Sequence, residues 1–118
     1  MLQDAQGRIV EASPAAERLL GLTADQMRGL TSLDPRWHAV REDGTFWPGE
    51  DHPAAIAQRT GVAQRDVVLG VHIPDGALIW LLVTAEPLFE PASERPSGIV
   101  AWFVDITASK HAEDALRE

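Results

Sequence analysis

The sequence predicts an α+β fold, with helices packed on one face of an antiparallel sheet. Three observations predict it. Ala15, Ala16, Leu19 and Leu20 form an apolar stripe at helical spacing early in the chain. From Gln64 onward the hydrophobic period changes to two, in runs rich in Val, Ile and Leu. Two of those runs are joined by Pro74-Asp75-Gly76, where proline fixes φ and glycine accepts a positive φ, so the strands fold back on each other. Segregated helices and hairpin-linked strands are the α+β pattern.

Each element follows in order. Asp4-Ala5-Gln6-Gly7 is a turn, and Gly7 to Val10 is a short strand after it. Ser13 caps a helix, with Pro14 at its first position, where a missing N–H costs nothing, and Gly21 ends it. Thr23 caps a second short helix that carries Met27 and stops at Gly29. Asp34-Pro35 opens a turn or short helix carrying Trp37 and Val40. Glu42-Asp43-Gly44 and Trp47-Pro48-Gly49 are turns. Asp51 is the expected cap of a helix from His52 to Thr60, with Pro53 in its first turn, Ile56 and Ala57 facing inward and Gly61 at its end. Strands are predicted over Asp66–Ile73, over Ala77–Ala85 (closed by Pro87) and over Ile99–Val104, with Glu90–Ser97 as the loop before the last. A polar, helix-prone tail begins at Thr107. The early strand is expected to join the later three in one sheet.

A chain of 118 residues suits one domain with one core. The organisation read from it is a domain over 1–106 and the start of a C-terminal signalling helix over 107–118. The net charge of −8, with basic residues scattered and the single lysine at Lys110, argues against nucleic acid. No apolar run approaches the roughly 20 residues needed to span a bilayer, so no membrane insertion is expected. Without cysteine there is no disulfide, thiolate metal site or cysteine nucleophile, and a cytoplasmic location fits. The acidic group Glu42, Asp43, Glu50 and Asp51 reads as a solvated loop without the spacing of a calcium-binding loop. No phosphate-binding or dinucleotide fingerprint is present and no catalytic triad can be assembled, so the domain itself is not read as an enzyme.

The pieces Gly7-Arg8-Ile9-Val10, Ser13-Pro14-Ala15-Ala16, Leu19-Leu20-Gly21 and His52-Pro53-Ala54-Ala55 running to Thr60-Gly61 occur in a fixed order. Pro74-Asp75-Gly76 with Trp80, then Pro87-Leu88, then Asp105-Ile106-Thr107 complete the series. Together they resemble a PAS domain of the bacterial sensory type found upstream of histidine kinases and diguanylate cyclases. The resemblance covers nearly the whole chain, and the last triplet is its most diagnostic part. Ser13 departs from it, since the family commonly has asparagine there, but serine can still cap. The resemblance implies a five-stranded antiparallel sheet with helices on one side around a small cavity, the fifth strand falling around Glu11-Ala12. It also implies sensing or interaction, as part of a signalling system such as a two-component system, in place of catalysis.

The family's strand register turns Ile79, Leu81, Val83 and Ala85 inward, together with Ile99, Ala101 and Phe103. With Leu20, Met27 and Ile56 these are the candidates to line a pocket for a small apolar or amphipathic ligand. A fully packed core without ligand is the other reading of the same residues. The haem-binding branch of the family hangs its iron on a histidine near the helix that His52 begins, which makes His52 the haem-ligand candidate. Pro53 puts His52 at the helix edge, however, and its register against Thr60-Gly61 departs from that branch; a surface or capping role fits it better. The flavin-dependent light-sensing branch needs a cysteine and a polar run along the strands; this chain has no cysteine and no asparagine. No metal and no covalent cofactor is expected, and the reading weighs against haem and flavin.

The same register turns Trp80, Leu82, Val100, Trp102 and Val104 outward. Two tryptophans are costly to leave wet on a sheet face, so these are the candidates for contact with a partner helix or a second protomer of a homodimer. At the junction, Asp105 is expected to pair with Lys110 or an arginine, or to act as a second capping carboxylate, and Thr107 to cap the helix it opens. Asp105, Ile106 and Thr107 would then set the angle at which a signal leaves. The sequence stops at Glu118 inside the helix-prone tail without a cap, so an effector in the same full-length chain is expected to follow. A ligand-free, constitutive dimerisation domain is the alternative function.

Overall fold

The computed structural model describes residues 1–31, 34 and 37–117. Among these residues, six strands form one antiparallel sheet: β1 (Leu2–Asp4), β2 (Ile9–Glu11), β3 (His38–Val40), β4 (Gln64–His72), β5 (Leu78–Phe89) and β6 (Pro96–Asp105). Their spatial order is β2-β1-β6-β5-β4-β3. Helices α1 (Pro14–Leu20), α2 (Ala24–Met27) and α3 (Pro53–Thr60) lie between β2 and β4 in the chain, and α4 (Thr107–Arg117) follows β6. The α+β class, the helices on one face and the C-terminal helix agree with the sequence reading.

The caps of the early helices are those the sequence indicates. Ser13 Oγ accepts the Ala16 N–H at 3.1 Å. Thr23 forms a reciprocal capping box with Gln26. The turn at Asp4–Gly7 links β1 to β2, closed by the Gly7 N–H donating to Asp4 O at 3.0 Å.

Several expectations are corrected. The sheet has six strands where five were expected, because β1 and β3 were not foreseen. β1 pairs with both β2 and β6, so three residues suffice to hold it. Val40 belongs to β3, pairing with Gly70; it does not belong to a turn or short helix. The expected opening of that segment at Asp34-Pro35 falls partly outside the described residues. Glu11 ends β2 and starts no separate strand. Asp51 does not cap α3: residues Gly49–Asp51 make a single 3-10 turn, and His52 takes the N-cap position without a side-chain cap bond. β5 runs through Pro87 to Phe89, which is tolerated because β4 flanks β5 only as far as Ala85 and leaves the proline side unpaired. β6 begins at Pro96, inside the segment read as a loop.

The inner face of the sheet carries two packed groups. One joins Ile9, Leu20, Met27, Ala39, Leu69, Val71, Leu81 and Val83. The other joins Ala57, Ala85, Ile99 and Ala101, and Phe103 packs against both. Burial of these side chains under α1, α2 and α3 is the main favourable term holding the helices to the sheet. No helix among the described residues is long and apolar enough to cross a membrane.

Candidate functional site: an internal cavity and the strand–helix junction

A cavity of about 90 Å³ lies between the inner sheet face and the helices. Leu20 from α1, Leu81 and Val83 from β5, and Ala101 and Phe103 from β6 line it, all of them residues the sequence points to. Five other candidates are not in its wall, one of them Ile79, which is half-buried against the first packed group. Met27 is fully buried in the packing beside it. Ala85 and Ile99 are fully buried in the second packed group, and Ile56 is half-buried on α3. One alternating strand therefore serves cavity at one end and solid core at the other. The sequence reading missed Gln3, Ile9, Trp37, Ala39, His52, Leu69 and Val71, which also line the cavity. The alternation of Leu69 and Val71 about Gly70 was a usable signal for two of them. Nothing in the sequence around Gln3 marks it.

His52 is neither a surface residue nor a side-chain cap: it is 8% exposed. Its Nε2 lies 3.0 Å from Trp47 O. A carbonyl only accepts, so Nε2 carries the hydrogen and Nδ1 the lone pair. Burial pulls its pKa below the ordinary histidine value, against the smaller opposing effect of the Trp47 carbonyl. The ring is therefore neutral near pH 7. A cavity of about 90 Å³ is well below the roughly 300 Å³ at which pockets for drug-sized ligands begin, so haem or a flavin does not fit it as it stands.

On the outer face, Leu82 lies opposite Val68 on one side and Val104 on the other, and Val100 lies opposite Leu2. Trp102 is 47% exposed and Val104 54%, while Leu82 and Val100 are half-buried. Trp80 is a correction to the expected contact face, since it is 7% exposed. Its indole packs on Gly70, and the Lys110 ammonium of α4 sits 5.4 Å from the ring centre.

The junction is built on Trp80. The Ile106 N–H donates to Trp80 O at 2.9 Å, and the Trp80 N–H donates to Thr107 Oγ1 at 3.0 Å. Asp105 Oδ1 accepts both the Thr107 N–H at 2.9 Å and its hydroxyl at 2.6 Å. These bonds hold the Asp105 carboxyl below the usual carboxylate range, the hydroxyl contributing most. Two expectations change here. Thr107 does not cap its own helix, because its hydroxyl accepts from β5. Lys110 does not pair with Asp105; it reaches Glu42 at 2.9 Å and Asp114 at 3.9 Å. The Glu42 carboxylate raises the Lys110 pKa above its ordinary value. Glu42, read as part of a solvated acidic loop, thus ties the turn after β3 to α4.

The family model for the PAS fold matches residues 1–111. A PAS domain from Colwellia psychrerythraea superposes with a TM-score of 0.65 at 18% identity, over 91% of this chain and 84% of that one. A sensory box histidine kinase/response regulator from Burkholderia thailandensis E264 gives 0.65 at 20% identity, over 98% and 83%. The LOV domain of the blue-light photoreceptor Aureochrome1 gives 0.69 at 21% identity, over 99% and 84%. At these identities the likeness is one of fold. No curated protein matches the sequence. PAS domains are generally sensory, non-catalytic modules, and several of these neighbours come from signalling proteins. The match over 1–111, the antiparallel sheet with its helices and the Asp105-Ile106-Thr107 junction together place this chain in the PAS family.

Proposed function

We propose that the chain is a non-catalytic sensory module in which the state of the cavity biases the docking of α4, and that α4 passes the bias to an effector in the same full-length protein. One observation carries the reading. Trp80 holds the start of α4 by its N–H, its C=O and its ring, and the next residue, Leu81, lines the cavity. Input and output are thus one peptide unit apart on β5. A ligand acts through this route only if it binds better to one arrangement of the strand than to the other; occupancy alone shifts nothing. In this reading residues 1–106 form the sensor and the helix from Thr107 is the output.

Thr107→Val tests the route. It keeps the shape but leaves the Trp80 N–H without its acceptor, a loss of about 1–3 kcal/mol for a buried donor. Amide hydrogen exchange at Trp80 and through the first turn of α4 is expected to rise by about tenfold or more, with the rest of β5 unchanged. Unchanged exchange at both places removes the junction from the mechanism.

A second reading is favoured by Trp102 and Val104, which stand about half exposed beside Leu82 on the outer face. That strip suits a second copy of the chain or a partner helix, and a constitutive dimerisation domain would use it without any ligand.

A further inference from the structure

We infer that the cavity selects a small, neutral, amphipathic molecule bearing a hydrogen-bond donor, such as an alcohol or a primary amide of a few non-hydrogen atoms, and that Gln3 and His52 select it. The inference deepens the ligand-sensing reading above and rests on it.

Gln3 faces inward from β1, is 5% exposed, and lines the cavity. Its carboxamide bonds to no group among the described residues. The other glutamines differ: Gln6, Gln26, Gln58 and Gln64 are less buried, and each bonds to Arg8, Thr23, Ala5 or Val62 respectively. The most buried of the glutamines is the one left unpaired. Buried amides are rarely left so, because the group gives up water without replacement. A partner from outside the chain fits that gap.

His52 supplies the second polar point. With its Nε2 hydrogen given to Trp47 O, the neutral ring presents Nδ1 as an acceptor, and Nδ1 has no hydrogen-bond partner among the described residues. A ligand that donates to Nδ1 and exchanges a bond with the carboxamide satisfies both groups. The rest of the wall is apolar apart from backbone, and no Asp, Glu, Lys or Arg side chain lines it among the described residues. Met1, whose ammonium donates to Ala101 O at 2.8 Å, also lines the cavity; that charge disfavours an ionised amine, and a carboxylate has no hydrogen to give to Nδ1. Size sets the upper bound. A cavity of roughly 150 Å³ takes benzene, so about 90 Å³ takes fewer atoms than that.

The test is a titration of the ¹⁵N-labelled chain with propan-1-ol, propionamide and 1-chloropropane, followed by amide shifts at Gln3, Leu81 and Ala101. The alcohol and the amide are expected to bind at least about fivefold more tightly than the chloride, the difference that one or two neutral hydrogen bonds confer. In Gln3→Met, propan-1-ol is expected to weaken by about three- to tenfold while 1-chloropropane does not change. Equal binding of all three probes, or unaltered propan-1-ol binding in Gln3→Met, overturns the selection by Gln3 and leaves the ligand-sensing reading standing. If none of the three shifts the cavity amides, the ligand-sensing reading falls together with the inference. Should Gln3→Met fail to fold, the ranking of the probes on the parent chain decides.

Discussion

Gly70 shows how one residue positions the junction. A Cβ there would lie 2.8 Å from Val40 Cγ2 and 2.9 Å from Trp80 Cζ3. The missing side chain is the slot into which the Trp80 indole packs, and the Lys110 ammonium stands over the ring, 5.4 Å from its centre. Gly70→Ala is therefore expected to destabilise the chain by about 1–3 kcal/mol through overpacking. Urea unfolding should show a lower midpoint with an unchanged slope; an unaltered midpoint would mean that the indole is not seated there. Sequence alternation assigns Trp80 a sheet face, but it does not say what lies over that face. The cover comes from Lys110, thirty positions away in the chain by numbering. Gln3 and His52 were opaque for a related reason: the burial of a polar side chain depends on what closes over it, which local pattern does not encode.

At the scale of elements, legibility followed the range of the interactions. The caps of α1 and α2 were readable because Ser13 and Thr23 each bond three residues ahead. The role of Thr107 was not, because its hydroxyl accepts from a strand 27 residues earlier. Strands β4, β5 and β6 were readable from their apolar alternation, whereas β1 and β3 have three residues each and exist only through their neighbours. β6 has an inner edge of Ala101 and Phe103 at the cavity and an outer edge of Trp102 and Val104 half in solvent. If a second copy covers the outer edge, Trp102→Ser should weaken self-association by tenfold or more, the loss of a buried aromatic anchor worth roughly 2 kcal/mol. Sedimentation over a range of concentrations checks this. The same association constant in parent and variant would exclude Trp102 from any self-interface.

For the whole molecule, the fold class was legible because helices and strands are segregated in the chain and the last strands are tied by a hairpin. The cavity was legible only in part: Leu20, Leu81, Val83, Ala101 and Phe103 meet around it, while Ala85 and Ile99 fill solid core instead. What unites the parts is β5, which touches the cavity through Leu81 and Val83 and holds α4 through Trp80. The claim that these two contacts are coupled is tested most directly at the Lys110 amide, which donates to Ile106 O at 2.8 Å in the first turn of α4. Its hydrogen exchange should be measured with the cavity free and with it saturated by propan-1-ol. The account predicts that occupancy changes the exchange rate by at least about fivefold, a coupling of roughly 1 kcal/mol. A rate that stays the same while the amides of Leu81 and Ala101 respond would contradict it.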